Sequence, residues 1–153
     1  MKLKKIKLKN FKMHKSKEFE FNDDVNIIVG DNECGKSSLL EAIEICLNFT
    51  YRGKPLNSEL TTDLFNENCI KKYLEGDKSQ NSLPEIKIEA YLEGDANLKG
   101  TNNDNKDDTE GIFIRIFFDD DLTDSYSIKK PDDVKHYLLN SIKLNGIVLY
   151  GID

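Results

Sequence analysis

Gly30 and Gly35 are followed at once by Lys36 and Ser37, and the whole stretch lies between an apolar run and an amphipathic one. The string Gly30-Asp31-Asn32-Glu33-Cys34-Gly35-Lys36-Ser37 fits G-x-x-x-x-G-K-[ST], the phosphate-loop (Walker A) pattern, which works only with a strand before it and a helix after it. Val25 to Val29 is compact, apolar and rich in β-branched residues, which predicts a strand buried on both faces. From Lys36 to Leu47 the apolar residues Leu39, Leu40, Ile43, Cys46 and Leu47 recur at helical spacing, with Glu41 and Glu44 opposite. A strand, a loop and a helix in this order imply an α/β fold.

Each residue type in the loop has a physical task. Gly30 and Gly35 let the backbone turn tightly and approach an anion with no Cβ in the way. Successive N–H groups from about Glu33 to Ser38 then converge on phosphate oxygens at the helix N-terminus, while the side chains of Asp31, Asn32, Glu33 and Cys34 are less constrained. Lys36 is expected to reach the β- and γ-phosphates of ATP as a point charge, Ser37 to coordinate Mg²⁺, and Ser38 to approach the α-phosphate. A purely structural glycine turn is the competing reading. A lysine in the first turn of a helix opposes the helix dipole unless an anion is present, so phosphate binding is preferred.

The rest of the chain reads as short strands and connections. Leu3 to Phe21 suggests two strands, with Ile6 and Leu8 on one face of the first, Phe19 and Phe21 in the second, and Asn10 to Ser16 between them. Leu64 to Leu74 suggests a helix stopping before Gly76. Ile86, Ile88, Ala90 and Leu92 alternate with Lys87, Glu89 and Tyr91, and Ile112, Ile114, Ile116 and Phe118 alternate in a second run, which suits an antiparallel pair. Residues 94–111 between them are crowded with Asn, Asp, Lys and Gly and predict an exposed, mobile connection.

At 153 residues one domain is the expectation, and no apolar stretch approaches the length of a membrane span. The lysine-rich start lacks the apolar core of a signal peptide, so a cytoplasmic protein without membrane partners is expected. Cys34, Cys46 and Cys69 form no C-x-x-C pair, and they read as reduced thiols; Cys34 reads as filling a permissive loop position rather than as a redox group. The net charge of −6 disfavours nonspecific nucleic-acid affinity for the whole chain, although lysines dominate the start. Those lysines read first as the solvated face of a strand.

The order Leu3, Ile6, Leu8, Asn10-Phe11-Lys12, Phe19, Phe21, Asn26-Ile27-Ile28-Val29-Gly30, Asn32 and Gly35-Lys36-Ser37-Ser38-Leu39-Leu40-Glu41-Ala42-Ile43 resembles the opening of SMC/RecF/OLD-type ATPases over about the first fifty residues. Among them the OLD-family ATP-dependent endonucleases and related phage-defence ATPases look nearest. The resemblance implies a P-loop NTPase fold of the ABC-type head, an N-terminal portion carrying an antiparallel β subdomain. It implies ATP and Mg²⁺ as cofactors, Lys12 as a further contact to nucleotide phosphates, a head-to-head homodimer, and DNA as a partner of the full-length relative.

Departures from that family matter too. The sequence contains no LSGGQ-like signature and no apolar strand ending in Asp-Glu; Phe117-Phe118-Asp119-Asp120-Asp121 looks similar to the latter but reads as a solvated strand end. Binding without hydrolysis is therefore expected of this chain. Residues 1–135 read as the N-terminal part of an ATPase head. Residues 136–153 carry none of its motifs, and one explanation is a shifted reading frame, since plausible codons for His136 to Leu149 read two bases later permit LPIELYKIEWYSF. Two other functions remain open at this point: a self-contained P-loop kinase or GTPase, against which the two preceding strands speak, and a noncatalytic interaction module with a vestigial loop.

Overall fold

The computed structural model describes residues 1–31, 34–77, 79–118, 142–143 and 147–149. Strand β1 (Lys2–Phe11) and strand β2 (His14–Glu20) form a hairpin, with Phe11 opposite His14 and Ile6 opposite Phe19. The connection is much shorter than the sequence suggests, because Lys12 takes a left-handed φ of 47° and reverses the chain at once. Helix α1 (Lys36–Asn48) follows, then a small ribbon of β3 (Thr50–Tyr51) and β4 (Lys54–Pro55). Helix α2 (Glu67–Glu75) begins at Asn66, whose side chain accepts from the Asn68 N–H, and ends at Gly76 as expected. Strands β5 (Ile86–Glu93), β6 (Lys99–Gly100), β7 (Thr109–Phe118), β8 (Ile142–Lys143) and β9 (Ile147–Leu149) complete the described strands.

The main sheet runs β2-β1-β5-β7-β6, with β8 and β9 also on β7, and every pairing among the described residues is antiparallel. Its register explains the core. Ile6 faces Ala90, Leu8 faces Ile88, and Ile88 in turn faces Ile114, so one pleat of β1, β5 and β7 presents a continuous apolar surface. Leu39, Ala42, Ile45 and Cys46 of α1 are buried against that surface. Each large aliphatic side chain so buried contributes about 1.5–3 kcal/mol, which fixes α1, and with it the loop before it, on the sheet.

The opposite pleat is more covered than simple alternation predicts. Glu89 is 2% exposed; its carboxylate accepts from the Tyr91 hydroxyl at 2.7 Å and from the Asp104 N–H at 2.8 Å. The cover comes from residues 94–111, most of which are exposed yet tied together by hydrogen bonds. They contain β6, a buried Asn103 that bonds across to Asp107 at 2.6 Å and 3.1 Å, and a turn held by Glu110 through the N–H groups of Gly94 and Asp95. Polar side chains closing on backbone groups do here what apolar packing does elsewhere.

One expectation is overturned. Val25 to Val29 is not a strand: Val25, Ile27 and Val29 are 73%, 80% and 81% exposed. Among the described residues no strand lies beside this run, so its backbone has no ladder to join. Its start is instead closed into a turn, in which Asn26 accepts from the Asn22 N–H at 2.7 Å and donates to the Asn22 carbonyl at 2.9 Å. Asp119 to Asp121 and most of the tail 136–153 lie outside the described residues; of that tail, Ile112 to Ile114 of β7 pair with Leu149 to Ile147, and Phe117 with Lys143.

Candidate phosphate-binding site

Helix α1 opens directly on Gly35, whose φ of 88° and ψ of 13° lie in the left-handed region, with no side-chain cap and no acidic residue in the first turn. The first-turn N–H groups of a helix have no intrahelical acceptors, and the positive end of the dipole is concentrated there. Most helices satisfy these donors with a Ser, Thr, Asp or Asn cap; α1 does not, which suits an external anion.

The loop before it is compact. The Lys36 ammonium donates to the carbonyls of Gly30 and Asp31, the latter at 2.7 Å, and lies 3.7 Å from the Cys34 sulfur. It therefore points back over the loop's own acceptors, a cation held by neutral oxygens that a phosphate can replace with full charges. Cys34 is exposed, and its N–H reaches the Asp31 carbonyl at 3.4 Å. Ser37 is exposed at the mouth, and Ser38 is buried behind it. Asn32 and Glu33 lie outside the described residues.

Both glycines lie close against a neighbouring side chain. A Cβ on Gly30 would sit 2.5 Å from the Cys34 sulfur, and one on Gly35 would sit 2.5 Å from Cε1 of His14. At Gly35 the neighbour is a buried ring, so the position is confined to glycine and its backbone can approach a phosphate; at Gly30 it is the sulfur of the exposed Cys34. These residues fit a nucleotide phosphate chain, with the Ser37 hydroxyl available to a magnesium ion.

Lys12 takes a different course from Lys36. Its ammonium pairs with Glu41 on α1 and lies 4.9 Å from the Tyr51 ring, while Arg52 reaches the other Glu41 oxygen at 3.1 Å. The Glu41 hydrogen bond also holds the Arg52 guanidinium further toward its charged form. Lys12 nevertheless shares a cavity of about 500 Å³ with Ser38, lined also by Met13, Asp63, Phe65 and Asn66. Its position is fixed by backbone bonds: the Lys12 N–H donates to Leu64, the Asn66 side chain donates to the Lys12 carbonyl, and the Asn66 N–H donates to Asn10.

One turn along the same face of α1, Glu44 organises the turn after the helix. It accepts from the Gly53 N–H and from the Thr50 hydroxyl, both at 2.9 Å, and these bonds, the Gly53 one foremost, hold its carboxyl below the usual glutamate range. The other early lysines are largely engaged: Lys4 with Asp23 and Glu93, Lys5 and Lys7 with Glu18. Sequence reasoning missed His14, which sits under the loop; a lone histidine at a hairpin turn carries no spacing signal.

Residues 5–149 match the model of the AAA domain family, a match that runs through β9. The chain is similar to the DNA replication and repair protein RecF of Synechocystis sp., 35% identical over 103 residues, or 67% of this chain and 26% of that protein. It is also similar to the DNA double-strand break repair Rad50 ATPase of Saccharolobus solfataricus, 34% identical over 80 residues, or 52% of this chain and 9% of that protein. A solved structure described under "Structural biochemistry of ATP-driven dimerization and DNA stimulated activation of SMC ATPases" is 21% identical, with a TM-score of 0.43, covering 74% of this chain and 61% of its own. The chain spans about a quarter of the RecF relative and less than a tenth of the Rad50 relative.

Proposed function

We propose that this chain, which belongs to the AAA domain family and has the α/β fold of a P-loop NTPase head, binds ATP with Mg²⁺ through Gly30 to Ser38 and forms the N-terminal part of a DNA-maintenance ATPase. The observation that carries the reading is the uncapped start of α1 on a left-handed Gly35, with the Lys36 ammonium held over the same loop. In this reading the backbone of Gly30, Asn32, Glu33, Cys34 and Gly35 wraps the phosphates. Lys36 leaves the Gly30 and Asp31 carbonyls for the β- and γ-phosphates, and the buried Ser38 stands nearest the α-phosphate. Ser37 would hold Mg²⁺, which when bound neutralises phosphate charge. Lys12 contributes from across the cavity it shares with Ser38, in competition with Glu41.

The RecF and Rad50 relatives support DNA replication and repair as the setting. A cytoplasmic location, and a head-to-head dimer and DNA as partners of a longer protein, rest on the sequence resemblance. No helix among the described residues is long and apolar enough to cross a membrane. An OLD-type endonuclease role is the finer proposal, resting on the sequence resemblance, and nuclease assays on the full-length protein address it. The test of the central reading is calorimetric titration of the chain with Mg²⁺-ATP. Affinity in the micromolar range is expected, and no binding at millimolar ligand leaves only an interaction module with a vestigial loop. Because the sequence carries no signature motif or Walker B strand, phosphate release by the purified chain should be no faster than by its Lys36→Ala variant; sustained turnover lost in that variant would reveal an unrecognised catalytic acid.

A further inference from the structure

His14 belongs to no motif, yet it is buried and its Nε2 lies 3.2 Å from the Gly35 carbonyl oxygen. A carbonyl only accepts, so Nε2 carries the hydrogen. The same oxygen also accepts the first helical bond of α1, from the Leu39 N–H at 2.9 Å. The imidazole edge rests on Phe19 of β2, with ring centroids 5.4 Å apart at 80°, and it presses so close to Gly35 that no Cβ fits there. The hairpin thus grips the one peptide at which the loop becomes the helix.

That grip has a consequence across the peptide bond. In a trans peptide the C=O of Gly35 and the N–H of Lys36 point in opposite directions. Two donors that hold the carbonyl down, toward β2 and the helix, therefore hold the Lys36 N–H outward, toward the mouth of the loop. Gly35 is the residue whose peptide most easily rotates, since glycine meets little steric resistance in either direction. We propose that His14 is a positioning residue for nucleotide binding: through Nε2–H it fixes the Gly35–Lys36 peptide so that the Lys36 N–H is presented to the phosphates of a nucleoside triphosphate. The proposal rests on the ATP-binding reading above.

The test separates the hydrogen bond from the ring packing. His14→Gln places an amide N–H as many bonds from Cα as Nε2 is and removes the ring; His14→Phe keeps the ring against Phe19 and removes the donor. Mg²⁺-ATP affinities of the wild-type chain and both variants are measured by titration, with thermal midpoints taken without nucleotide. Loss of one directed bond to a charged oxygen should weaken binding by His14→Phe about tenfold, while His14→Gln stays within about threefold of wild type. The proposal is overturned if His14→Phe binds as wild type does, or if His14→Gln loses as much affinity as His14→Phe in step with a lowered thermal midpoint, the signature of packing alone. Absence of binding by the wild-type chain itself refutes the ATP reading and this proposal together, an outcome distinct from wild-type binding that the variants leave unchanged.

Discussion

Replacing Gly35 by alanine places a methyl group 2.5 Å from Cε1 and 2.7 Å from Nε2 of His14, on a residue held at a φ of 88°. Two penalties follow, and the structure lets them be separated. A left-handed backbone costs an alanine about 1–2 kcal/mol. The steric overlap falls on a buried ring backed by Phe19, so His14 moves only by disturbing β2, and overpacking of this kind costs about 1–3 kcal/mol. Gly35→Ala alone should therefore lose about 2–5 kcal/mol of unfolding free energy, a large share of the total for a small domain. In a His14→Ala background the ring is gone and only the backbone penalty of about 1–2 kcal/mol remains, so the two substitutions should couple by about 1–3 kcal/mol. Urea unfolding of the four proteins, followed by circular dichroism with slopes compared, gives the cycle. Equal losses from Gly35→Ala in both backgrounds would refute the claim that His14 packs against the loop glycine.

Two further outcomes follow from the charges around the core. The Glu44 carboxyl is held below its ordinary range by Gly53 and Thr50, so its contribution to stability is present at neutral pH and is lost as pH falls through that lowered value. Glu44→Gln should therefore narrow the stability difference between pH 7 and the acid side; unchanged pH dependence of the urea midpoint would contradict it. Glu89→Ala should cost about 2–4 kcal/mol, because the Tyr91 hydroxyl and Asp104 N–H lose a buried acceptor, and an unshifted thermal midpoint would show that solvent replaces it.

The parts of this fold that were legible in sequence are those set by local pattern. Helix α1 follows from the spacing of Leu39, Ile43 and Cys46, and the pairing of β5 with β7 follows from two runs of alternating isoleucine. The phosphate loop is proposed from the sequence for a similar reason, since its pattern is carried by neighbouring residues. Val25 to Val29 departs from the expectation because burial is a property of neighbours: four apolar residues around Asn26 describe a strand only where another strand lies alongside. The cover over Glu89 was invisible for the opposite reason, as Asn103 and Asp104 close the sheet with hydrogen bonds that leave no apolar trace. Lys12 and His14 show the same limit within the site. Their partners, Glu41 and Gly35, are far along the chain, and only the packing of the hairpin against α1 brings them together.

The central claim is that Lys36 serves an anion and not the loop's own architecture. Its ammonium is bonded to the carbonyls of Gly30 and Asp31 at the exposed surface, so Lys36→Ala should leave the thermal midpoint without nucleotide almost unchanged. The same substitution should weaken Mg²⁺-ATP binding at least about tenfold, or roughly 1.4 kcal/mol, because it removes a positive charge from the β- and γ-phosphates. Titration of wild-type and Lys36→Ala chains side by side makes the measurement. A folded Lys36→Ala protein that binds ATP as tightly as wild type would contradict the account.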